Sequence, residues 1–421
     1  MRYTNFSGLY KTALILLLIV SVTLRGVEEL TAQNLSFTPR LYTLKDDSSL
    51  RETFVFPLVG WNENDHWMPG VYVTNQMTDK KKFRYQLMPM YSTDTKSLTG
   101  TGRISINRYF ENRSASTVSL FLQGKSFHLP SYEGDPMRYY QFETGIKTIL
   151  ETGSDSAPAQ HTLELKYHQN GTEEMMWISN GTIYVPEQHH KILNAMRAAW
   201  TFEKYDSTQP FSTSVKADVW GDFARLSANY EYDYNYEPKR WFTFRAFAGV
   251  YLFHDSVFAQ NHDARFSPNM PGWKTDIFYD GWFIGRNVYD AFYRMQGMPG
   301  PGGLYSISPV GQSWSWTLSV SGSVSMPFDL PLRIYAAAGI SPDPLKANKP
   351  FGIFEGGLLI TTPQKIFEIA FPLVHDKSSK EALLLNTDKY WQRIRFIINF
   401  DRINPHTWLD NPHHRKQLHL I

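Results

Sequence analysis

Glu355 and Glu368 lie on adjacent strand candidates, in a register that turns both side chains toward the same face. Two carboxylates on one face can divide acid and base work between them. Pairing of each with an arginine on that face is the plainer alternative. Asn62–His66, reading NENDH, gathers oxygen and imidazole groups that would suit a cation, and it reads equally as a polar turn between two strands, the preferred reading. His189-His190 and His413-His414 are adjacent pairs. Neighbours on a strand point to opposite faces, so each pair is a poor chelate and reads as loop or tail histidine. Cysteine is absent, which excludes disulfides, thiolate metal sites and cysteine nucleophiles. HExxH, GxSxG and Walker-type loops are absent too. The expectation is a protein with no catalytic set, no metal and no cofactor, hence not an enzyme.

The elements that carry these residues announce themselves through a period of two. In WSWTLSVSGSVSM (Trp314 to Met326), Trp314, Trp316, Leu318, Val320, Val324 and Met326 form one column, and Ser315, Thr317, Ser319, Ser321, Ser323 and Ser325 the other. Such alternation is the mark of a strand. It suits a soluble sandwich with one wetted face, and equally a membrane barrel with apolar side chains toward lipid and polar ones toward a wet lumen. The pattern recurs in RLSANYEYDYNYE (Arg225 to Glu237), RWFTFRAFAGVYL (Arg240 to Leu252), LTGTGRISIN (Leu98 to Asn107), HTLELKYH (His161 to His168) and RIRFIINFD (Arg393 to Asp401). About 14 strand candidates lie between residues 51 and 402 by this criterion. Most are roughly 9 to 13 residues long, near the ~9–11 of a tilted membrane-spanning strand and beyond the ~5–6 of soluble sheets.

Long alternating strands at both ends of the chain, little amphipathic helix and 15% aromatic residues favour the barrel. The fold class is all-β: an antiparallel transmembrane β-barrel of roughly 12–16 strands with long extracellular loops. Its lumen column comprises Arg103, Lys166, Glu231, Arg245, Arg333, Glu355, Glu368, Arg393 and Arg395. Mixed signs there predict a lumen filled by paired side chains. The +2 net charge gives no reason to expect nucleic acid.

Residues 1–32 read as an export signal, with Arg2 and Lys11 before the apolar run Ala13–Val22 and a small-residue cut after Ala32; an uncleaved anchor is the alternative. Residues 33–50 are a periplasmic lead-in, 51–402 the barrel and 403–421 a polar tail. Gly221-Asp222 and Phe328-Asp329 are expected as short periplasmic turns. The connection 255–312, rich in Gly, Pro and aromatic residues, is expected outside the cell, with Trp273, Tyr279, Asp280, Trp282 and Arg286 as candidate contact residues.

PLVGWNENDHWMPGVYVTN (Pro57 to Asn75), FRYQLMPMYSTDTKSLTGTGRISIN (Phe83 to Asn107), IFEIAFPLV (Ile366 to Val374) and YWQRIRFIINFDRINP (Tyr390 to Pro405) resemble one family. It is the C-terminal outer-membrane β-barrel region found in Bacteroidetes surface proteins, often fused behind an M1-type metallopeptidase domain. The resemblance implies a Gram-negative outer membrane and a link to surface proteolysis or nutrient uptake. No peptidase residue carries over, because the motifs are structural and HExxH is missing. The functional expectation is a non-enzymatic surface anchor or scaffold, in contact with outer-membrane lipid and with a surface partner such as a peptidase or lipoprotein. A channel or transport barrel for small solutes is the alternative, and an enzyme built on Glu355 and Glu368 the remaining class.

Overall fold

Along the strands of this molecule, buried charged and hydroxyl side chains alternate with exposed aliphatic ones. The computed structural model describes residues 53–398, apart from 63, 76–80, 111–114, 130–136, 154–157, 180–183, 207, 239, 262–263, 269–295, 298–301, 307–309, 328–329, 344–345, 363–364 and 388. The first eleven strands are β1 (Phe54–Asn62), β2 (His66–Thr74), β3 (Phe83–Tyr91), β4 (Leu98–Tyr109), β5 (Ala115–Leu129), β6 (Met137–Gly153), β7 (Pro158–Ser179), β8 (Tyr184–Lys204), β9 (Phe211–Trp220), β10 (Phe223–Glu237) and β11 (Arg240–His254). The two-residue β12 (Gln296–Gly297) follows, then β13 (Trp316–Ser325), β14 (Leu332–Asp343), β15 (Lys346–Thr361), β16 (Phe367–His375) and β17 (Arg395–Ile398).

Each long strand pairs antiparallel with the next, β11 passing directly to β13, while β12 lies parallel to β17. The 17 strands less β12 leave a 16-strand meander. Among the described residues no ladder bond joins β17 to β1.

β14 states the principle most plainly. Arg333, Tyr335, Ala337, Gly339 and Ser341 are buried, while Ile334, Ala336, Ala338 and Ile340 are exposed. In β13, Thr317 and Ser319 are buried while Leu318, Val320 and Val324 face outward. A soluble sandwich would bury the other column, because aliphatic surface in water costs about 25 cal/mol per Å². With charge inside and aliphatics outside across the sheet, the surrounding medium is hydrocarbon and the fold is a transmembrane β-barrel. Among the described residues no helix is long and apolar enough to cross a membrane.

The strands alternate between two rims. The Asp255 amide donates to the Asp222 carbonyl at 2.9 Å, so the Gly221-Asp222 turn shares a rim with the start of the long connection. The expected grouping of that turn with the short periplasmic links therefore does not hold; β13 and β14 meet on the opposite rim, and Phe328-Asp329 lies outside the described residues. β7 and β8, of 22 and 21 residues, are about twice the roughly 9–11 residues needed to span.

The described parts of the long connection fold inward. α1 (Ser256–Asn261) places Phe258 against Phe223, and Ala264 and Phe266 join Leu193, Phe247 and Tyr251 in one cluster. Leu304 packs with Ala337 and Ile353, and Tyr305 with Tyr335, Leu359, Ala370 and Ile397. α2 (Lys377–Asn386) is capped by the Asp376 carboxylate, which accepts from the Ser379 amide at 2.9 Å, and it lies between β16 and β17.

Candidate functional site: a carboxylate-held strap in the lumen

Glu355 projects from the middle of β15 into the barrel, where it is 2% exposed. Its Oε1 accepts the Tyr305 amide at 2.9 Å and the Tyr335 hydroxyl at 2.7 Å. Its Oε2 accepts the Ser306 amide at 2.9 Å and also the Ser306 hydroxyl. Four donors thus converge on one carboxylate, three of them from the inward-folded chain. A buried carboxylate is costly unless it is fully hydrogen-bonded, and here each donor is itself a buried group in need of an acceptor. The result is a strap: the 302–306 segment is tied to the lumen face of β13 to β16.

Glycine makes the close approach possible. Gly303 has φ +75°, and a β-carbon there would lie 2.1 Å from the Ser321 hydroxyl. The hydroxyl column of β13 therefore faces both the lumen and the strap, and small side chains leave the strap room.

Below the strap lies a second constellation of paired charges. Lys365, in the turn between β15 and β16, reaches Glu231 Oε1 at 2.6 Å and the Asp233 oxygens at 2.7 and 2.8 Å. Arg245 pairs with Glu231 at 3.1 Å. Thr243 donates to Asp233 at 2.5 Å and accepts from Arg333 at 3.0 Å. Between strap and network lies a cleft of about 310 Å³, its solvent-continuous volume included, walled by Arg245, Arg333, Lys365, Glu368, Tyr305 and Ser321. In the other half of the barrel, Lys166 meets Glu143 at 3.1 Å, and Asp218 receives both Arg197 and Arg225.

Most of the expected lumen column is inside. Lys166, Arg333, Glu355, Glu368 and Arg395 are buried, and Glu231 and Arg245 are partly buried in one ion-pair network. Arg103 lies 4.2 Å from the Phe121 ring centre and donates to Gln123 at 3.2 Å. Arg393 departs from expectation: β17 begins only at Arg395, and Arg393 belongs to the 3-10 turn Tyr390–Arg393, donating to Thr387 at 3.2 Å. A turn has no two-fold alternation, so the column stops there. Trp273, Tyr279, Asp280, Trp282 and Arg286 lie outside the described residues.

Glu355 and Glu368 do not form a carboxylate pair. Glu355 sits opposite His375 and Glu368 opposite Thr361. Six residues of β15 separate those positions, roughly 20 Å at ~3.3 Å per residue. Tyr305, Ser306 and Lys365 escaped sequence reading because nothing local distinguishes them; the one signal was Gly302-Gly303 beside a strand of small residues.

At the rim of the long connection, Asn62–His66 is a tight polar node. Asn62 Oδ1 accepts the Asn64 and Asp65 amides at 2.9 and 2.7 Å, and Asn62 Nδ2 donates to Asp65 at 2.8 Å. Burial works to raise the Asp65 carboxyl, but hydrogen bonds from His128 and Asn62 outweigh it and hold the group below its ordinary value. Among the described residues no group of three or more His, Asp or Glu could hold a metal ion.

These features define the class: an antiparallel transmembrane β-barrel with part of its own chain folded into the lumen. No family model matches the sequence, and no curated protein matches it. Among solved structures, BamA from Haemophilus ducreyi lacking POTRA domains 1–3 is similar with a TM-score of 0.42 and 11% identity over 76% of this chain and 66% of that one. CdiB from Acinetobacter baumannii is similar at 0.38 and 12%, over 78% and 58%. The copper transporter OprC is similar at 0.33 and 10%, over 75% and 54%. This chain thus spans between 54% and 66% of those proteins. At such scores the likenesses carry no argument, and the class rests on strand pairing and on the inverted burial pattern.

Proposed function

We propose that this chain is an outer-membrane barrel that works as a closed surface anchor or scaffold. One observation carries the reading: the Glu355 carboxylate ties residues 305 and 306 inside the bore, while Lys365 ties the β15–β16 turn to β10 below them. Buried, hydrogen-bonded chain held inside the bore suits a scaffold better than an open pore. The paired signs of the lumen accord with a bore filled by its own side chains. The likeness of four segments to the barrel region behind surface metallopeptidases supports a Gram-negative, Bacteroidetes setting and a surface partner such as a peptidase or lipoprotein, with outer-membrane lipid around the barrel.

The test is planar-bilayer conductance of the detergent-folded protein alongside affinity purification from outer membranes. A silent bilayer together with a reproducible surface-protein partner supports the anchor. Steady single-channel currents from the unmodified protein would replace it with the transport reading.

A further inference from the structure

Three groups far apart in the sequence meet at the rim of the long connection: Asp65 after β1, Ser97 before β4, and His128 at the end of β5. Asp65 and His128 are buried, and their side chains are 0% and 7% exposed. His128 Nδ1 lies 2.6 Å from Asp65 Oδ1. Asp65 is fixed from several sides: its Oδ2 accepts the His128 amide at 3.0 Å and Asn62 Nδ2 at 2.8 Å, and its carbonyl accepts the Ser92 hydroxyl at 2.8 Å. With the carboxylate on Nδ1, the proton of a neutral ring sits on that nitrogen, which leaves Nε2 as the acceptor. Nε2 faces the Ser97 hydroxyl at 3.5 Å, the long separation typical of a resting serine–histidine pair. Thr95 donates to Asp65 Oδ1 at 3.2 Å and accepts from Ser97 Oγ at 2.9 Å, so the Ser97 hydroxyl has to turn from Thr95 toward Nε2 to be activated. Carboxylate, imidazole and hydroxyl in that order are the parts of an activated serine nucleophile, which is recognised by geometry and not by sequence position.

The setting names the substrate class. Ser97 is half-buried, and around it Trp67, Tyr91 and Leu98 are 61%, 49% and 67% exposed. Aromatic and aliphatic side chains at the end of a spanning strand mark the boundary between hydrocarbon and headgroups. We propose that Ser97, His128 and Asp65 form an acyl-transfer site that hydrolyses an ester-linked acyl chain of a membrane lipid. Ser97 Oγ attacks the ester carbonyl carbon while its proton passes to His128 Nε2. The ester C–O bond breaks, the alcohol leaves with that proton, and the acyl group stays on Ser97. Water, deprotonated by the same nitrogen, releases the carboxylic acid and restores the serine. Ser97 and His128 are the catalytic residues, and Asp65 is a positioning residue. No oxidant or cofactor is needed. The inference goes beyond the anchor reading without depending on it, since a barrel closed at its centre can still carry an activity on its rim; it also runs against the expectation of a non-enzyme.

The experiment uses the full chain folded in detergent, its fold checked by heat-modifiable gel mobility. An alkyl fluorophosphonate is added, and the labelled peptide is located by mass spectrometry; fatty-acid release is followed on phosphatidylethanolamine vesicles. Labelling at Ser97, lost in Ser97→Ala and cut at least 100-fold in folded His128→Gln, is the expected result, since a general base contributes about 10²–10⁴-fold. Asp65→Asn, where it folds, should lower kcat with KM unchanged, which loss of a purely structural contact would not do. A folded wild-type barrel left unlabelled at Ser97, or labelled equally well in His128→Gln, overturns the site. Hydrolysis of p-nitrophenyl butyrate with no fatty acid released from the vesicles overturns the lipid substrate. Neither result bears on conductance, so the two readings fail separately.

Discussion

Replacing Glu355 with alanine should unlock the strap without unfolding the barrel. The change removes the acceptor for four donors, two of them the amides of Tyr305 and Ser306. A buried donor left unsatisfied costs about 1–3 kcal/mol, so the two amides alone destabilise the strapped state by about 2–6 kcal/mol. At about 1.4 kcal/mol per tenfold, the strapped-to-released ratio falls by roughly 30-fold to 10⁴-fold. The ladders of β14, β15 and β16 are made by backbone groups and are untouched, so the loss is local. Hydrogen exchange read at residues 302–306 and at β15 separates the two: protection should collapse in the first and persist in the second. Single-channel recording should show openings that the unmodified protein lacks. If Glu355→Ala leaves residues 302–306 as protected as before and the bilayer silent, the carboxylate does not hold the strap and the closure argument fails.

Lys365→Met should leave the Glu231 and Asp233 carboxylates beside each other without their shared cation, lowering the thermal midpoint more than Lys365→Arg does, as differential scanning calorimetry in detergent would show. Leu318→Arg, on the outward column of β13, should cost about 2–4 kcal/mol in lipid-vesicle unfolding titrations if it sits near the midplane, whereas Leu318→Met should change little. Gly303→Ala places a β-carbon on the Ser321 hydroxyl at a positive φ and should mimic strap release in the hydrogen-exchange assay. At the rim, the Asp65 carboxyl is held below its ordinary value, so its stabilisation is fully present above the unfolded value of about 3.9 and disappears as pH falls through the lower folded value. Proteolysis of the β1–β2 turn should accordingly rise only on acidification below about pH 4 and not between pH 5 and 7.

Alternation alone determined a great deal of this protein. The columns of Trp314–Met326 and Arg225–Glu237 specified strands, and their length, their recurrence at both ends of the chain and the aromatic content favoured a barrel over a sandwich, while the inverted burial of the columns decided it. That information is local, because side-chain direction on a strand repeats every two residues. It also placed Lys166, Arg333, Glu355 and Arg395 inside. Only the tertiary structure decided what those side chains meet. Glu355 was legible as a lumen carboxylate, but two of its partner residues, Tyr305 and Ser306, lie 50 and 49 residues earlier in an irregular segment, which has no period to read. Lys365 finds Asp233 across 132 residues of chain, and Asp65 finds His128 across 63. Where a strand points its side chains follows from its own sequence; which groups face one another across a closed bore or around a rim depends on register summed over many strands, and no short stretch contains that sum.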